Sequence, residues 1–160
     1  GGRANFLPVE AADPEAPETT GGRRDGRDLT GEWRAKGPSH VYIWDREGFD
    51  AIDVQAGPRV LALFEPSHMN FEADRAADKA GEPSLAEMTS KAVEILRQNK
   101  NGYFLMVEGG RIDHAHHGGN AARALKDTQA FSEAVAKAIS MTNAKDTLVI
   151  VTADHGHTMS

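Results

Sequence analysis

The chain has no cysteine, which excludes structural disulfides and thiolate-bound zinc, so a metal centre here has to be built from oxygen and nitrogen donors. It has no basic run and no stripe of basic residues interleaved with aromatics. With a formal net charge of -6 and 6% aromatic residues, nucleic acid is not expected as a specific partner, and an anionic ligand needs a metal or local arginines to hold it. No apolar run is long enough to span a bilayer, and the opening residues do not form an export signal. Internal repeats and low-complexity tracts are missing as well. What is present is 39% apolar residues in 160, enough for the core of one ordinary globular domain.

Along the chain, residues 1–26 are rich in Pro, Gly and acidic residues and predict a long solvated surface excursion. Asp28 is placed to cap a short helix through Lys36, with Leu29 and Trp33 one turn apart facing the body. Val41-Tyr-Ile-Trp44 and Val60-Leu-Ala-Leu-Phe64 predict two strands of one sheet, with a short helix around 46–52 between them. The stretch from Glu65 to Glu82 also carries Glu72, Asp74 and Asp78, an oxygen-rich loop of the kind that solvates or holds calcium. Ser84-Leu-Ala-Glu87 is a capping-box signature opening a helix to about Asn99, with Met88, Ala92, Ile95 and Leu96 as its buried stripe.

The stretch from Tyr103 to His155 carries the chemistry. Tyr103-Phe-Leu-Met-Val107 predicts a buried strand ending at Glu108, with Gly109 and Gly110 in a sharp turn after it. A polar loop, 111–119, is followed by a helix capped by Asn120 and ending near Thr142; its apolar positions are Ala121, Leu125, Thr128, Phe131, Val135 and Ile139. Thr147-Leu-Val-Ile-Val-Thr152 predicts a second strand, apolar on both faces, ending at Asp154-His155. Strand, helix and strand make a βαβ unit over 103–157, in which parallel strands deliver Glu108 and Asp154-His155 to one carboxyl edge. Asp113-His-Ala-His-His117 lies between them in sequence, and carboxylates brought that close need protons or cations. Mixed carboxylate and imidazole donors suit zinc, and all-oxygen donors suit magnesium. Alternating strands and helices predict an α/β fold, a three-layer sandwich with a largely parallel central sheet, and no boundary divides the chain into two domains.

Val107-Glu-Gly-Gly-Arg-Ile-Asp-His-Ala-His-His117 and Val151-Thr-Ala-Asp-His-Gly-His157 resemble the two late metal-binding motifs of alkaline phosphatases, closest to the branch that includes the animal enzymes. The resemblance runs upstream through Leu63-Phe-Glu-Pro66, the Gly21-Gly22 to Trp33 segment and Gly1-Gly2-Arg3, so it covers residues 1–160 as a partial catalytic domain. It implies phosphomonoester hydrolysis through a phosphoserine intermediate, with two zinc ions and a magnesium, a homodimeric enzyme, and export to periplasm, cell surface or medium. Carried over residue by residue, Asp113 and His117 hold the first zinc, Asp154 and His155 the second, and Glu108 the magnesium. His157 orients a ligand or phosphate beside them, while His114 and His116 serve loop packing or hydrogen bonding. Phe64, Glu65 and, in place of the more usual Asp, Glu82 match a calcium site of the animal-type enzymes. The nucleophile's Asp-Ser-Ala motif is absent, since no serine here follows an aspartate. The bridging Asp, the phosphate-binding Arg and the last zinc histidine are not assignable either, which predicts an internal piece, inactive alone. Two other readings are a phosphodiesterase or sulfatase-like member of the same superfamily, against which Glu108 argues, and a non-catalytic metal-binding module.

Overall fold

The computed structural model describes residues 2–158. They fall into two compact units, the first Gly1–Asn70 with Ala77–Glu82 and the second Phe71–Ala76 with Pro83–Ser160.

The first unit is built on a parallel pair of strands, β1 (His40–Ile43) and β2 (Arg59–Ala62), in register His40 to Arg59 through Ile43 to Ala62. Before them comes helix α1 (Leu29–Arg34), where the Asp28 carboxylate accepts from the amides of Thr30 and Gly31 as its sequence position predicts. The Trp33 indole donates to the Val41 carbonyl at 3.1 Å and ties α1 to β1. Between the strands, α2 (Arg46–Asp50) is capped by Asp45 and buries Phe49, whose ring meets Phe64 edge-on at 6.0 Å. Leu7, Ile43, Phe49, Leu63 and Phe64 form the core of this unit.

The opening excursion has an anchor that its composition does not announce. Arg3 is 0% exposed. Its guanidinium donates to both Asp13 oxygens at 2.7 and 2.6 Å, to Glu15 at 2.8 Å and to the Leu63 carbonyl at 2.8 Å. Such a charge is tolerated inside because carboxylates pair with it and its donors are used. Gly21 lets the returning chain pass against the outgoing one, since a Cβ there would run into the carbonyls of Leu7 and Pro8.

The second unit is helical. α3 (Leu85–Leu96) opens on the complete capping box that Ser84 and Glu87 predict. α4 (Arg111–His117) occupies what the sequence predicts as a polar loop; Gly118 and Gly119 stop it, the latter at φ +60, and Asn120 then caps α5 (Ala121–Met141). α5 packs against both α3 and α4. The packed face meets the predicted one only at its edge, where Phe131 and Val135 are half-buried. Ala124, Asp127, Ala130 and Ala134 are buried, while Leu125 and Ile139 point to solvent. Alanines allow close helix approach, so α5 turns its small-residue side inward. On α3 the buried positions are Thr89 and Val93, one step round from the predicted stripe, whose members are half-buried.

The two strands predicted for 103–107 and 147–152 do not form ladders: among the described residues neither segment pairs with the other or with β1 and β2. A strand exists only by pairing, which a local apolar run cannot supply by itself. Residues 103–107 nonetheless present themselves as a strand would, with Tyr103, Leu105 and Val107 half-buried and Phe104 and Met106 exposed, a period of two. Residues 148–151 are exposed throughout. The βαβ unit is therefore present as its helix and two unpaired flanks.

Candidate metal centre

Helix α4 turns a sequence spacing of four into neighbouring donor atoms. Asp113 in its first turn and His117 in its last project from one face, with Asp113 Oδ2 3.4 Å from His117 Nε2. The segment after 152 brings two more imidazoles to the same carboxylate: the Nε2 atoms of His155 and His157 each lie 3.8 Å from Asp113 Oδ1. The rings gather, with His157 at 4.5 Å from His117, 5.3 Å from His116 and 6.2 Å from His155. Asp113, His117 and His157 each offer a donor atom within 4.8 Å of the others.

These separations are too long for hydrogen bonds. Tetrahedral zinc with oxygen and nitrogen ligands at about 2.0 to 2.1 Å puts neighbouring donors about 3.3 Å apart, close to what is seen. Asp113 Oδ1 is buried and has no hydrogen-bond partner, although two imidazole nitrogens face it. A buried carboxylate oxygen left so is costly unless something else satisfies it. A cation among these donors does that, and the donor set fits zinc. The Gly156 carbonyl, then the Asp154 and Asp113 carboxylates, raise the His155 pKa above its ordinary value.

Of the sequence-predicted ligands, Asp113, His117 and His155 lie together. Asp154 reaches His155, at 3.6 Å, but is 89% exposed and stands outside the cluster. Glu108 is exposed at the start of the turn. His116 hydrogen-bonds the Ile112 carbonyl at 2.7 Å through Nδ1, and His114 Nδ1 lies 3.1 Å from Arg111 Nη1, so both have the packing contacts predicted for them. Neither glycine of the 109–110 turn has a positive φ. Gly109 is small because a Cβ there would stand 3.1 Å from the Ile112 side chain and 3.3 Å from the Phe131 ring.

A second group of donors belongs to the first unit. Glu15, Glu65 and Asp78 come within 4.8 Å of one another. Glu82 lies nearby: its Oε1 accepts from the Asn70 amide at 2.8 Å, and Asn70 also donates to Glu65 at 2.8 Å. Burial first, then the charges of Glu65 and Asp78, push the Glu82 carboxyl up to about 7 against the Asn70 amide. Burial and Asp78 likewise raise Glu65, and burial raises Glu15 despite Arg3. Glu65 and Glu82 were legible in the sequence. Asp78 was legible too, as part of the oxygen-rich loop, but Glu15 was not, because it sits in the excursion and is brought in by Arg3 and by its hydrogen bond with Asp78.

The alkaline phosphatase family model matches residues 1–160. The chain belongs to the alkaline phosphatase family. Tissue-nonspecific alkaline phosphatase of Rattus norvegicus is 43% identical over 163 residues, covering 98% of this chain and 31% of that protein. Membrane-bound alkaline phosphatase of Bombyx mori is 42% identical over 164 residues, covering 100% and 29%. Among solved structures, the alkaline phosphatase of Thermus thermophilus superposes with a TM-score of 0.63 at 35% identity, over 71% of this chain and 23% of that one. This member of the alkaline phosphatase family thus spans about a third of the length of the curated relatives it matches, and its fold is an incomplete α/β arrangement of the family type, with one parallel strand pair and flanking helices.

Proposed function

We propose that this chain forms part of the metal centre of an alkaline phosphatase that hydrolyses phosphate monoesters through a phosphoserine intermediate, with two zinc ions and a magnesium. The observation that carries the reading is the unsatisfied, buried Asp113 Oδ1 facing the imidazoles of His155 and His157, beside His117 on its own helix. Bound metal supplies charge stabilisation for the transferring phosphoryl group and lowers the pKa of the attacking oxygen. Asp113 and His117 hold one zinc, Asp154 and His155 the other, and Glu108, an all-oxygen donor at the turn into α4, serves the magnesium. His157, stacked on His116, fixes the face that Asp113 turns toward the ions. The serine nucleophile, the bridging aspartate and the phosphate-binding arginine come from chain outside these 160 residues. The Glu15, Glu65 and Asp78 group, with Glu82, is assigned to calcium, which takes oxygen ligands in flexible number. The parent enzyme is a homodimer exported to periplasm, cell surface or medium, in keeping with the name of the Bombyx mori relative, membrane-bound alkaline phosphatase; no helix among the described residues is long and apolar enough to cross a membrane.

Zinc titration of the purified chain against a chromophoric chelator tests the centre. Stoichiometric zinc binding lost in Asp113→Asn is the expected result. Binding that survives this substitution unchanged removes Asp113 from the centre and the reading with it.

A further inference from the structure

We propose that Phe71 is a positioning residue for the metal centre: its ring holds the Arg111 guanidinium, and through it the first turn of α4, in the attitude that keeps Asp113 and His117 on the shared site. The inference rests on the zinc reading of that site and adds to it the part that fixes its geometry.

Arg111 Cζ lies 3.6 Å from the centre of the Phe71 ring, and Arg123 Cζ lies 4.7 Å from the same centre. Two guanidinium groups on one ring repel, so the arrangement needs counter-charge. Asp74 supplies it to Arg123 at 2.8 Å, and the buried Asp127 carboxylate feels the Arg111 charge. The residue after Phe71 is itself fastened to α5, since the Glu72 amide donates to both Asp127 oxygens at 3.3 Å. Phe71 is thus anchored on α5 and grips α4.

α4 depends on such a grip. It has seven residues and no side-chain cap at its amino end, and a helix that short gains little from its own hydrogen bonds. Its carboxyl end is fixed to α5 by the Gly118-Gly119-Asn120 turn, in which the Asn120 amide donates to Ala115 O at 2.9 Å. At its amino end the fixture is Arg111. The Arg111 Nε is buried without a hydrogen bond, so at that atom stacking on the ring is what compensates for lost water. Its Nη1 reaches His114 Nδ1 at 3.1 Å. A guanidinium only donates, so His114 accepts there, which ties the stacked group to the next turn of the helix. Asp113 follows Arg111 by two residues, and metal donors must be held within about 0.5 Å of their working positions. Loss of the ring frees the end of α4 that carries Asp113.

The test uses this chain with zinc and cobalt(II) as probes. Phe71→Leu keeps apolar bulk and loses the aromatic face; it is expected to raise the zinc Kd about tenfold and to change the visible band of bound cobalt, which reports ligand geometry. Phe71→Tyr keeps the face and is expected to retain both properties. A purely structural Phe71 would lower Tm and leave the cobalt spectrum of folded protein as it was. An unchanged zinc Kd and cobalt spectrum in Phe71→Leu overturn the proposal, as does Phe71→Tyr behaving like Phe71→Leu. If Phe71→Leu does not fold, Arg111→Lys, which keeps the charge and loses the planar stack, is read in the same assay: a weaker zinc site supports the inference and an unchanged one overturns it. Asp113→Asn separates the two levels. If it loses zinc while Phe71→Leu keeps it, positioning alone fails. If Asp113→Asn binds zinc like the unsubstituted chain, the centre itself is wrong and the inference falls with it.

Discussion

Asp113 is the carboxylate on which three imidazoles converge, while Asp154, equally prominent in sequence, reaches only its neighbour. In this chain Asp113→Ala is therefore expected to lower zinc affinity by a larger factor than Asp154→Ala, and competitive chelator titration of the two variants measures the ratio; equal losses place Asp154 in the site on the same footing. Asp127 poses a different question. Burial raises its pKa, and the Glu72 amide and the Arg111 charge offset this only in part. A carboxyl whose folded pKa exceeds the unfolded one is bound to its proton more tightly in the native state, so stability falls as pH rises through that window and the cost is fully present above it. Asp127→Asn keeps an acceptor for Glu72 and removes the buried charge. Relative to the unsubstituted chain it is expected to be more favourable at pH 7 than in acid, this difference vanishing below about pH 4, where the unfolded carboxyl also protonates. Urea melts at the two pH values check this, and an effect that is the same in acid assigns it to packing.

At the level of elements, the helix starts test how far local chemistry reaches. Burial works to raise the Asp28 carboxyl, and the amides of Gly31 and Thr30 with the Thr30 hydroxyl overcome it and hold the pKa below the ordinary carboxylate value. That contribution is present above the unfolded carboxyl pKa and lost as pH falls through the folded one. Asp28→Ala should cost about 1 kcal/mol at neutral pH, and the difference from the unsubstituted chain should fade in acid; a deficit independent of pH puts the loss in something other than the charged cap. Asp28, Ser84 and Asn120 were legible as caps because a cap is settled within four residues. The α5 face was not. Its apolar residues lie on two sides, and the choice between the alanine side and the Leu125 and Ile139 side depends on which neighbours pack there. The runs at 103–107 and 147–152 were legible as apolar and β-prone, but pairing is made by distant chain. The same holds for the site: the Asp113 and His117 spacing lies within one helix and could be read, whereas Glu15 joins Glu65 through the distant Arg3 and Asp78, and Phe71 meets Arg111 only across the fold.

For the molecule as a whole, the open surface and the missing chemistry point the same way. Phe104 is 87% exposed, Leu148 83%, and Met106 and Ile150 76% each. These side chains belong to two segments with no ladder partners among the described residues, and unpaired, apolar, β-prone chain associates with its like. Sedimentation of the purified chain is expected to show concentration-dependent association that Phe104→Lys with Ile150→Lys reduces; a monomer at every concentration would mean that these faces are covered. The catalytic inventory is equally partial. The proposed ligands are Asp113, His117, Asp154, His155 and Glu108, and no serine in the chain follows an aspartate. Ligands without a nucleophile bind and polarise phosphate but form no phosphoserine, and an incomplete donor set offsets less of an ion's dehydration than a closed one. With saturating zinc and magnesium the chain alone should therefore hydrolyse an aryl phosphate at alkaline pH far more slowly than a full-length member of the family. Turnover within about a hundredfold of such a reference, a barrier difference of about 2.7 kcal/mol, would overturn this expectation and require a nucleophile among the serines and threonines already present.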